Sequence, residues 1–275
     1  MRRRILPRRL GSLALLVIVG AVVLGPLSAM VTTAFTRPTQ FARQGIGLPA
    51  PWTSENFAAL LSDPDVLIRP ALITLAVAGI LATVQTVTAV LAAYVFIRLP
   101  FRGSRVLLAL YVGSYLAPPV VTFLPLYVVF ARVGLIGTFW VLFVPFALAS
   151  PYAILLLVQS FRSIPSEILD AAELDGASHG SVLRRIVLPL TLPTVGIVVL
   201  VSAVSAWNSY LWPRLASGVA FPQIQVAIGA LQSQYDSNWT LVMAGTTLAV
   251  VPPLLAAAVI QRHLWRPAES SAWTA

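Results

Sequence analysis

The sequence lacks several residue types on which soluble proteins and enzymes commonly depend. It contains no cysteine and no lysine, only two histidines, and nine acidic residues among 275. The absence of cysteine excludes disulfides, thiolate metal sites and a cysteine nucleophile. Charged residues make up 10% of the chain and hydrophobic residues 58%, whereas soluble domains carry about 25% charged residues. This composition predicts an all-α integral membrane protein.

The hydrophobic residues form six runs, each near the roughly 20 residues that a helix needs to cross a bilayer. The predicted spans cover residues 10–33, 70–97, 106–130, 139–159, 190–212 and 239–260. The first run is longer than the roughly 7–15 apolar residues of a signal peptide, so we interpret it as an uncleaved span. A kink is expected at Pro118 and Pro119, because each proline removes a helical N–H group.

The arginines predict the orientation of these spans in the inner membrane. Six spans place both termini on one side, which then holds thirteen of the eighteen arginines. Arginine-rich loops face the cytoplasm, so both termini are expected there. The predicted layout is a basic N-terminus (1–9), a first span (10–33), an extracytoplasmic loop (34–69), a core transmembrane domain (70–261) and a cytoplasmic tail (262–275).

A polar segment, residues 162–189, lies between the fourth and fifth spans and contains four of the nine acidic residues. Ser166 is the expected N-cap of a helix in which Glu167, Asp170 and Glu173 recur on one side. Gly176 is expected to end this helix in a left-handed conformation. A second helix should follow and break at Pro189 and Pro193.

The residues of the polar segment leave two interpretations open, a solvated amphipathic loop on the membrane surface or a docking element. Its spacing resembles the EAA motif of ABC importer permeases. In that family the motif forms a coupling helix that docks in a cleft of a cytoplasmic ATPase. The resemblance implies ATPase contacts for Asp170, Ala171, Ala172, Gly176, Ile186, Leu188 and Pro189. The family usually has Glu where this chain has Asp170, which shortens the acidic side chain by one methylene.

Further stretches resemble the shorter, maltose-transporter-like permeases of the carbohydrate-uptake subfamily. The matching residues are Ala92-Ala93-Tyr94 with Arg98, Phe101 and Gly103; Pro118-Pro119, Pro125-Leu126-Tyr127 and Gly134-Leu135 with Thr138; and Trp207-Asn208 with Leu211-Trp212-Pro213. The resemblance implies a six-span type I ABC importer fold with a coupling helix between spans four and five.

The same resemblance implies a set of partners for this chain. They are a second permease subunit, two cytoplasmic ATPase subunits that bind ATP and magnesium, an extracytoplasmic solute-binding protein and a sugar substrate. Neither a nucleic-acid partner nor a cofactor held by this chain is expected. The sequence has no Walker A motif, so ATP hydrolysis is assigned to a separate chain and this one is not expected to be an enzyme.

Polar residues inside the predicted spans are candidates for a translocation path. They are Gln85, Tyr115, Ser205, Asn208 and Ser209. Contact between helices is the alternative role for such residues. Trp207, Tyr210 and Trp212 are able to stack on sugar rings or to anchor the span at the membrane interface.

Two other functions remain open from the sequence. The coupling motif is also compatible with a permease for glycerol phosphate, a polyol or an amino acid. An ion-coupled transporter or a membrane enzyme would need a buried acid or base, and the six predicted spans contain no Asp, Glu, Lys or His.

Overall fold

The computed structural model describes residues 5–148, 150–234 and 238–264, and within these ranges it is helical and contains no strand. The predicted N-terminus 1–9 and tail 262–275 therefore lie partly outside the described residues. The helices are α1 Ile5–Ala34, α2 Pro38–Gln44, α3 Glu55–Ser62, α4 Ile68–Arg98, α5 Ser104–Ser114, α6 Pro119–Arg132, α7 Pro151–Arg162, α8 Ser166–Leu174, α9 His179–Val182, α10 Leu188–Trp207, α11 Leu211–Ala216, α12 Ile224–Gln234 and α13 Trp239–Leu264.

Four stretches of helix in the described part of the chain are long and apolar enough to cross a membrane. They are Leu15–Ala34, Ile68–Arg98, His179–Trp207 and Trp239–Arg262. Two bent helix pairs bring the number to as many as six if each pair is one span. The all-helical, multi-pass architecture predicted from composition is therefore confirmed.

The third predicted span is broken more sharply than a kink. Helices α5 and α6 meet at 99° around residues 115–118. Pro118 adopts φ −60° and ψ 126°, the extended conformation that a following proline favours. Two adjacent prolines therefore end one helix and begin another in a new direction.

The fourth predicted span is also not one regular helix. Residues Phe139–Leu142 and Val144–Phe146 form 3₁₀ turns, and α-helix begins only at Pro151. Pro145 and Pro151 lack the N–H groups that a continuous α-helix through this stretch would need.

The expected break at Pro189 and Pro193 is wrong. Helix continues from His179 to Trp207, and it includes a π-helical segment at Leu183–Val187. A π turn adds one residue to the helical turn. The π segment ends two residues before Pro189, whose ring would otherwise meet the carbonyl of the preceding turn.

The described residues form two compact units. The first consists of residues from 1–69 and 227–251, and the second of residues from 70–226 and 252–275. Residues 227–251 of the predicted core domain thus group with the N-terminal unit. In that unit the amide of buried Asn56 donates to the carbonyls of Ala34 (2.8 Å) and Thr36 (2.9 Å) and accepts from the Thr240 hydroxyl (3.1 Å). One side chain therefore ties α1, α3 and α13 together.

The apolar part of α1, Leu15–Ala34, packs little against the rest of the chain, and only Thr33 and Ala34 at its end are buried. Its aliphatic side chains face outward, as Leu16 at 71% and Val22 at 69% exposure illustrate.

The core of the second unit lies between α4, α7 and the polar segment. Ala89 and Ala93 of α4 are fully buried, and Leu157 of α7 and Val182 of α9 pack in the same cluster. Small residues let helices approach closely, which favours tight packing inside a membrane protein. One face of the polar segment is therefore part of the core.

Candidate functional site

The polar segment folds as two helices joined by a capped turn. Gly176 has φ 75°, the left-handed conformation predicted for it. The Ala177 N–H donates to the Ala172 carbonyl and the Gly176 N–H to the Glu173 carbonyl, both at 3.0 Å. This pair of bonds is a Schellman motif, which satisfies carbonyls at the end of α8. The Ser178 hydroxyl then accepts from the Ser181 N–H and caps α9.

The start of α8 differs from the prediction by one residue. Pro165 occupies the N-cap position, no side chain caps the helix there, and Ser166 is its first residue. Proline cannot donate a hydrogen bond, and its extended backbone (φ −54°, ψ 132°) begins the helix without a capping side chain.

The seven residues predicted to contact an ATPase lie on a partly exposed surface. Ile186, Leu188 and Ala172 pack against the core cluster of the second unit. Asp170, Ala171, Gly176 and Pro189 are exposed. The neighbouring Leu174, at the end of α8, is 90% exposed. The segment thus has a core-facing side that fixes it and an outward side that is available for contact.

Two of the three acidic residues on α8 pair with an arginine from α4. The Arg98 guanidinium donates to Asp170 Oδ1 at 3.3 Å and 3.4 Å, and also to Glu173 Oε1. Its side chain is only 16% exposed, against 60% for Asp170 and 41% for Glu173. The sequence alone does not indicate this cluster, because Arg98 lies 72 and 75 residues from its partners.

A second contact joins α4 to α9. The Tyr94 hydroxyl lies 3.3 Å from His179 Nδ1, and the two rings meet edge-on at 6.2 Å. Tyr94 and Arg98 are four residues apart, so both lie on the same side of α4.

A cavity of about 490 Å³ lies within the second unit. Four of the five predicted path residues line it: Gln85, Tyr115, Ser205 and Ser209. The fifth, Asn208, is not among the lining residues described, and its Oδ1 accepts from Gln225 Nε2 at 3.4 Å. The broken third span contributes Tyr115, α10 contributes Ser205, and Ser209 comes from the connection after α10. Residues from distant parts of the sequence are therefore brought to one concave surface.

The aromatic residues near the end of the fifth predicted span are mostly structural. Trp212 is 1% exposed, donates its Nε1 hydrogen to the Val141 carbonyl at 2.9 Å and contacts the rings of Phe123 and Phe146. Trp207 is 5% exposed. Both indoles are buried inside the chain, which favours a packing role over anchoring at a membrane interface.

Gln223 is a polar residue of the cavity that was not predicted from the sequence. It lies directly before α12, between the fifth and sixth predicted spans, and is 1% exposed. Its Oε1 is buried and has no hydrogen-bond partner among the described residues. A buried acceptor without a partner costs free energy that a ligand hydroxyl is able to recover.

Helices long and apolar enough to cross a membrane, a cavity and a partly exposed polar segment are features expected of a membrane transport subunit. The chain belongs to the family described as "Binding-protein-dependent transport system inner membrane component", whose model matches residues 85–267. The predicted ABC permease identity is thereby confirmed.

Individual relatives and a solved structure agree with this assignment. The chain is 27% identical to the trehalose/maltose transport system permease protein of Thermococcus litoralis, with 96% of each chain covered. It is 29% identical to the sn-glycerol-3-phosphate transport system permease protein of Agrobacterium fabrum, with 86% of this chain and 84% of the relative covered.

The structural comparison gives the fold. The chain superposes on a chain of a bacterial ABC transporter that imports the acidic polysaccharide alginate, with a TM-score of 0.79. The two are 21% identical, and the match covers 96% of this chain and 98% of the other. The protein therefore has the type I ABC importer permease fold.

Proposed function

We propose that this chain is a transmembrane subunit of an ABC importer for a sugar or an oligosaccharide. The cavity carries the proposal, because its lining combines hydroxyl, amide and aromatic side chains, among them Ser205, Gln223 and Tyr115. Such side chains hydrogen-bond the hydroxyls of a saccharide and cover its apolar faces. The trehalose/maltose and alginate transport systems to which the chain is similar support the same substrate class.

The proposed mechanism is alternating access driven by separate subunits. Two cytoplasmic ATPase subunits bind ATP and magnesium, since this sequence contains no Walker A motif. One of them docks on the exposed side of the polar segment, around Asp170 and Gly176. Closure of the ATPase pair moves the docked segment and opens the cavity outward, and hydrolysis resets it. The chain moves its solute without changing it chemically.

The remaining partners and the topology follow from the family. A second permease subunit completes the translocation path, and an extracytoplasmic solute-binding protein delivers the solute. Six spans, with each bent pair counted once, would put both termini on the same side of the membrane, and the distribution of arginines favours the cytoplasm as that side. Residues 34–69 then face outward and the polar segment lies in the cytoplasm as the coupling element.

A transport assay tests the proposal. The complete transporter is reconstituted in proteoliposomes with ATP enclosed, and uptake of labelled maltose, trehalose and sn-glycerol-3-phosphate is measured with the solute-binding protein present. We expect uptake of a saccharide that depends on ATP. The relative from Agrobacterium makes glycerol phosphate the second candidate, so uptake of that solute alone would change the substrate class. Uptake driven by an ion gradient without the ATPase would contradict the proposal.

A further inference from the structure

The last turn of α4 touches the polar segment on both sides of its central turn. Arg98 contacts Asp170 and Glu173 of α8, before Gly176. Tyr94 contacts His179 at the start of α9, after Gly176. The segment is therefore held against one helix at two points rather than at one.

Both contacts are directional and shielded from solvent on the α4 side. Arg98 is 16% exposed and Tyr94 is 5% exposed. A guanidinium in such a position is stable only when carboxylates compensate its lost hydration, and removing those partners leaves an unpaired charge. Apolar packing of Ala93 against the same cluster adds contact area without fixing direction. The polar contacts thus determine how the segment is oriented on α4.

Helix α4 also reaches the cavity. Val77, Leu81 and Gln85 line it, and Gln85 Nε2 donates to the Phe146 carbonyl at 2.8 Å. Gln85 and Arg98 lie 13 residues apart, which is roughly 20 Å along a helix at 1.5 Å per residue. No proline occurs between these two positions. A displacement at one end of this stretch therefore moves the other end with it.

We propose that Tyr94 and Arg98 are positioning residues that fasten the polar segment to α4, so that a displacement of the segment is transmitted along α4 to the cavity wall. The inference rests on the proposed function and deepens it. The docking site is where an ATPase would displace the polar segment. The contacts of Tyr94 and Arg98 would then transmit this displacement to the cavity that holds the solute.

A charge-swap series in the complete reconstituted transporter tests the fastening. Arg98→Glu and Glu173→Arg each place like charges together, whereas the double variant restores an opposite pair. We expect each single variant to lower the amount of labelled maltose imported per ATP hydrolysed by roughly 5- to 30-fold, the factor that one or two kcal/mol of lost positioning energy represents. The double variant restores the pair between positions 98 and 173 but leaves a carboxylate at position 98 beside Asp170, so it should recover part of this ratio. Tyr94→Phe, which removes only the hydroxyl, should lower it by a smaller factor.

Arg102→Glu is the matched control. Arg102 lies in the same short connection after α4, is exposed, and has no ion pair among the described residues. Its reversal changes the net charge by the same amount as Arg98→Glu, so its ratio of import to hydrolysis should stay at the wild-type value.

A second measurement does not depend on the identity of the solute. The chain has no native cysteine, so Ser205→Cys introduces a single thiol into the cavity lining. We expect its rate of modification by a maleimide to change when ATP and vanadate are added. In the Arg98→Glu background this change should be lost, and the Arg98→Glu, Glu173→Arg background should restore part of it.

The outcomes separate the possible failures. An Arg98→Glu transporter with a wild-type import ratio and a normal change in thiol accessibility overturns the fastening. So does a variant whose amount in the membrane falls while its ratio stays normal, because that result indicates a purely structural role. If the wild type imports no saccharide, the proposed substrate fails, and the thiol measurement still decides whether movement passes through Arg98.

Discussion

Gly176 shows how a single backbone angle fixes the direction of the polar segment. At φ 75° any L-residue is strained, by roughly 1–2 kcal/mol and more when the side chain is β-branched. We expect Gly176→Val to displace α9 and to lower import per ATP in the reconstituted transporter, with normal amounts of protein in the membrane. Gly176→Asn is the control, because asparagine tolerates the left-handed region. Equal import by both variants and the wild type would remove the turn from the mechanism.

Asp170 is the second residue whose role a single substitution decides. Asp170→Lys brings a cation to the site that Arg98 contacts at 3.3 Å, so repulsion replaces attraction. We expect uptake to be uncoupled from ATP hydrolysis while membrane insertion, measured by immunoblot of the membrane fraction, is preserved. Asp175→Lys makes the same charge change one residue after α8, at an exposed position without an ion pair among the described residues. Comparable uncoupling by both substitutions would show that the effect is not specific to the contact between Asp170 and Arg98.

Replacing the amide of each cavity glutamine should change stability and solute binding in different ways. Gln223→Met removes a buried acceptor that has no partner within the described residues, so thermal stability in detergent should be kept or increased while the KM for solute rises. Gln85→Met removes the bond to the Phe146 carbonyl and should cost about 0.5–1.5 kcal/mol of stability. A reversed pattern would assign the structural role to Gln223.

For single residues, the sequence predicts which side chains line the cavity more reliably than it predicts which residues they contact. Gln85, Tyr115, Ser205 and Ser209 were predicted as path residues because polar groups inside a span stand out by type alone. Gln223 was missed because its position depends on a distant contact. The next residue, Ile224, donates its N–H to the Thr74 hydroxyl, 150 residues away.

Among the helices, the break between α5 and α6 is the feature that brings Tyr115 to the cavity. Replacing both Pro118 and Pro119 by alanine restores the missing N–H group of each and favours a straighter helix. We expect the double variant to reach the membrane but to lose most of its uptake, as measured in proteoliposomes. Pro125→Ala is the control, since Pro125 lies inside α6 without interrupting it. Similar losses in both variants would contradict a specific role of the break.

Helices that depend on local sequence properties were predicted correctly, whereas helices that depend on contacts with distant residues were not. The span predicted at 70–97 is helix Ile68–Arg98, and the span predicted at 239–260 is Trp239–Leu264, because continuous hydrophobicity is a local property. Helices α2, α3 and α12 were not predicted. They are short and depend on packing with distant parts of the chain, which local propensity does not report. The π turn before Pro189 was missed for the same reason.

For the whole molecule, the predicted orientation in the membrane can be tested with two single-cysteine variants. Leu48→Cys and Leu174→Cys introduce thiols at positions that are 79% and 90% exposed. With both termini in the cytoplasm, an impermeant maleimide should label position 48 in spheroplasts and position 174 only in inverted vesicles. The absence of other cysteines in the chain makes each signal unambiguous. The opposite labelling pattern would reverse the topology.

The family could be recognised from sequence because its motif is local. Seven matched residues within the polar segment are enough to suggest an ABC permease, and the family match over residues 85–267 agrees. The Arg98–Glu173 pair joins positions 75 residues apart, and no local sequence pattern predicts that they are in contact. The motif thus identifies the polar segment as functionally important, whereas the folded chain shows which residues that segment contacts.

The outward-facing helix α1 has a consequence for the biosynthesis of the protein. Within Leu15–Ala34 only Thr33 and Ala34, at the end of the helix, are buried against the rest of the chain, so its transfer from the translocon into lipid requires few tertiary contacts. A helix that is stable in the bilayer by its own hydrophobicity inserts while later segments are still being translated. Asn56 and Thr240 need only close around the end of a helix that is already in place. The order of synthesis and the order of assembly therefore coincide.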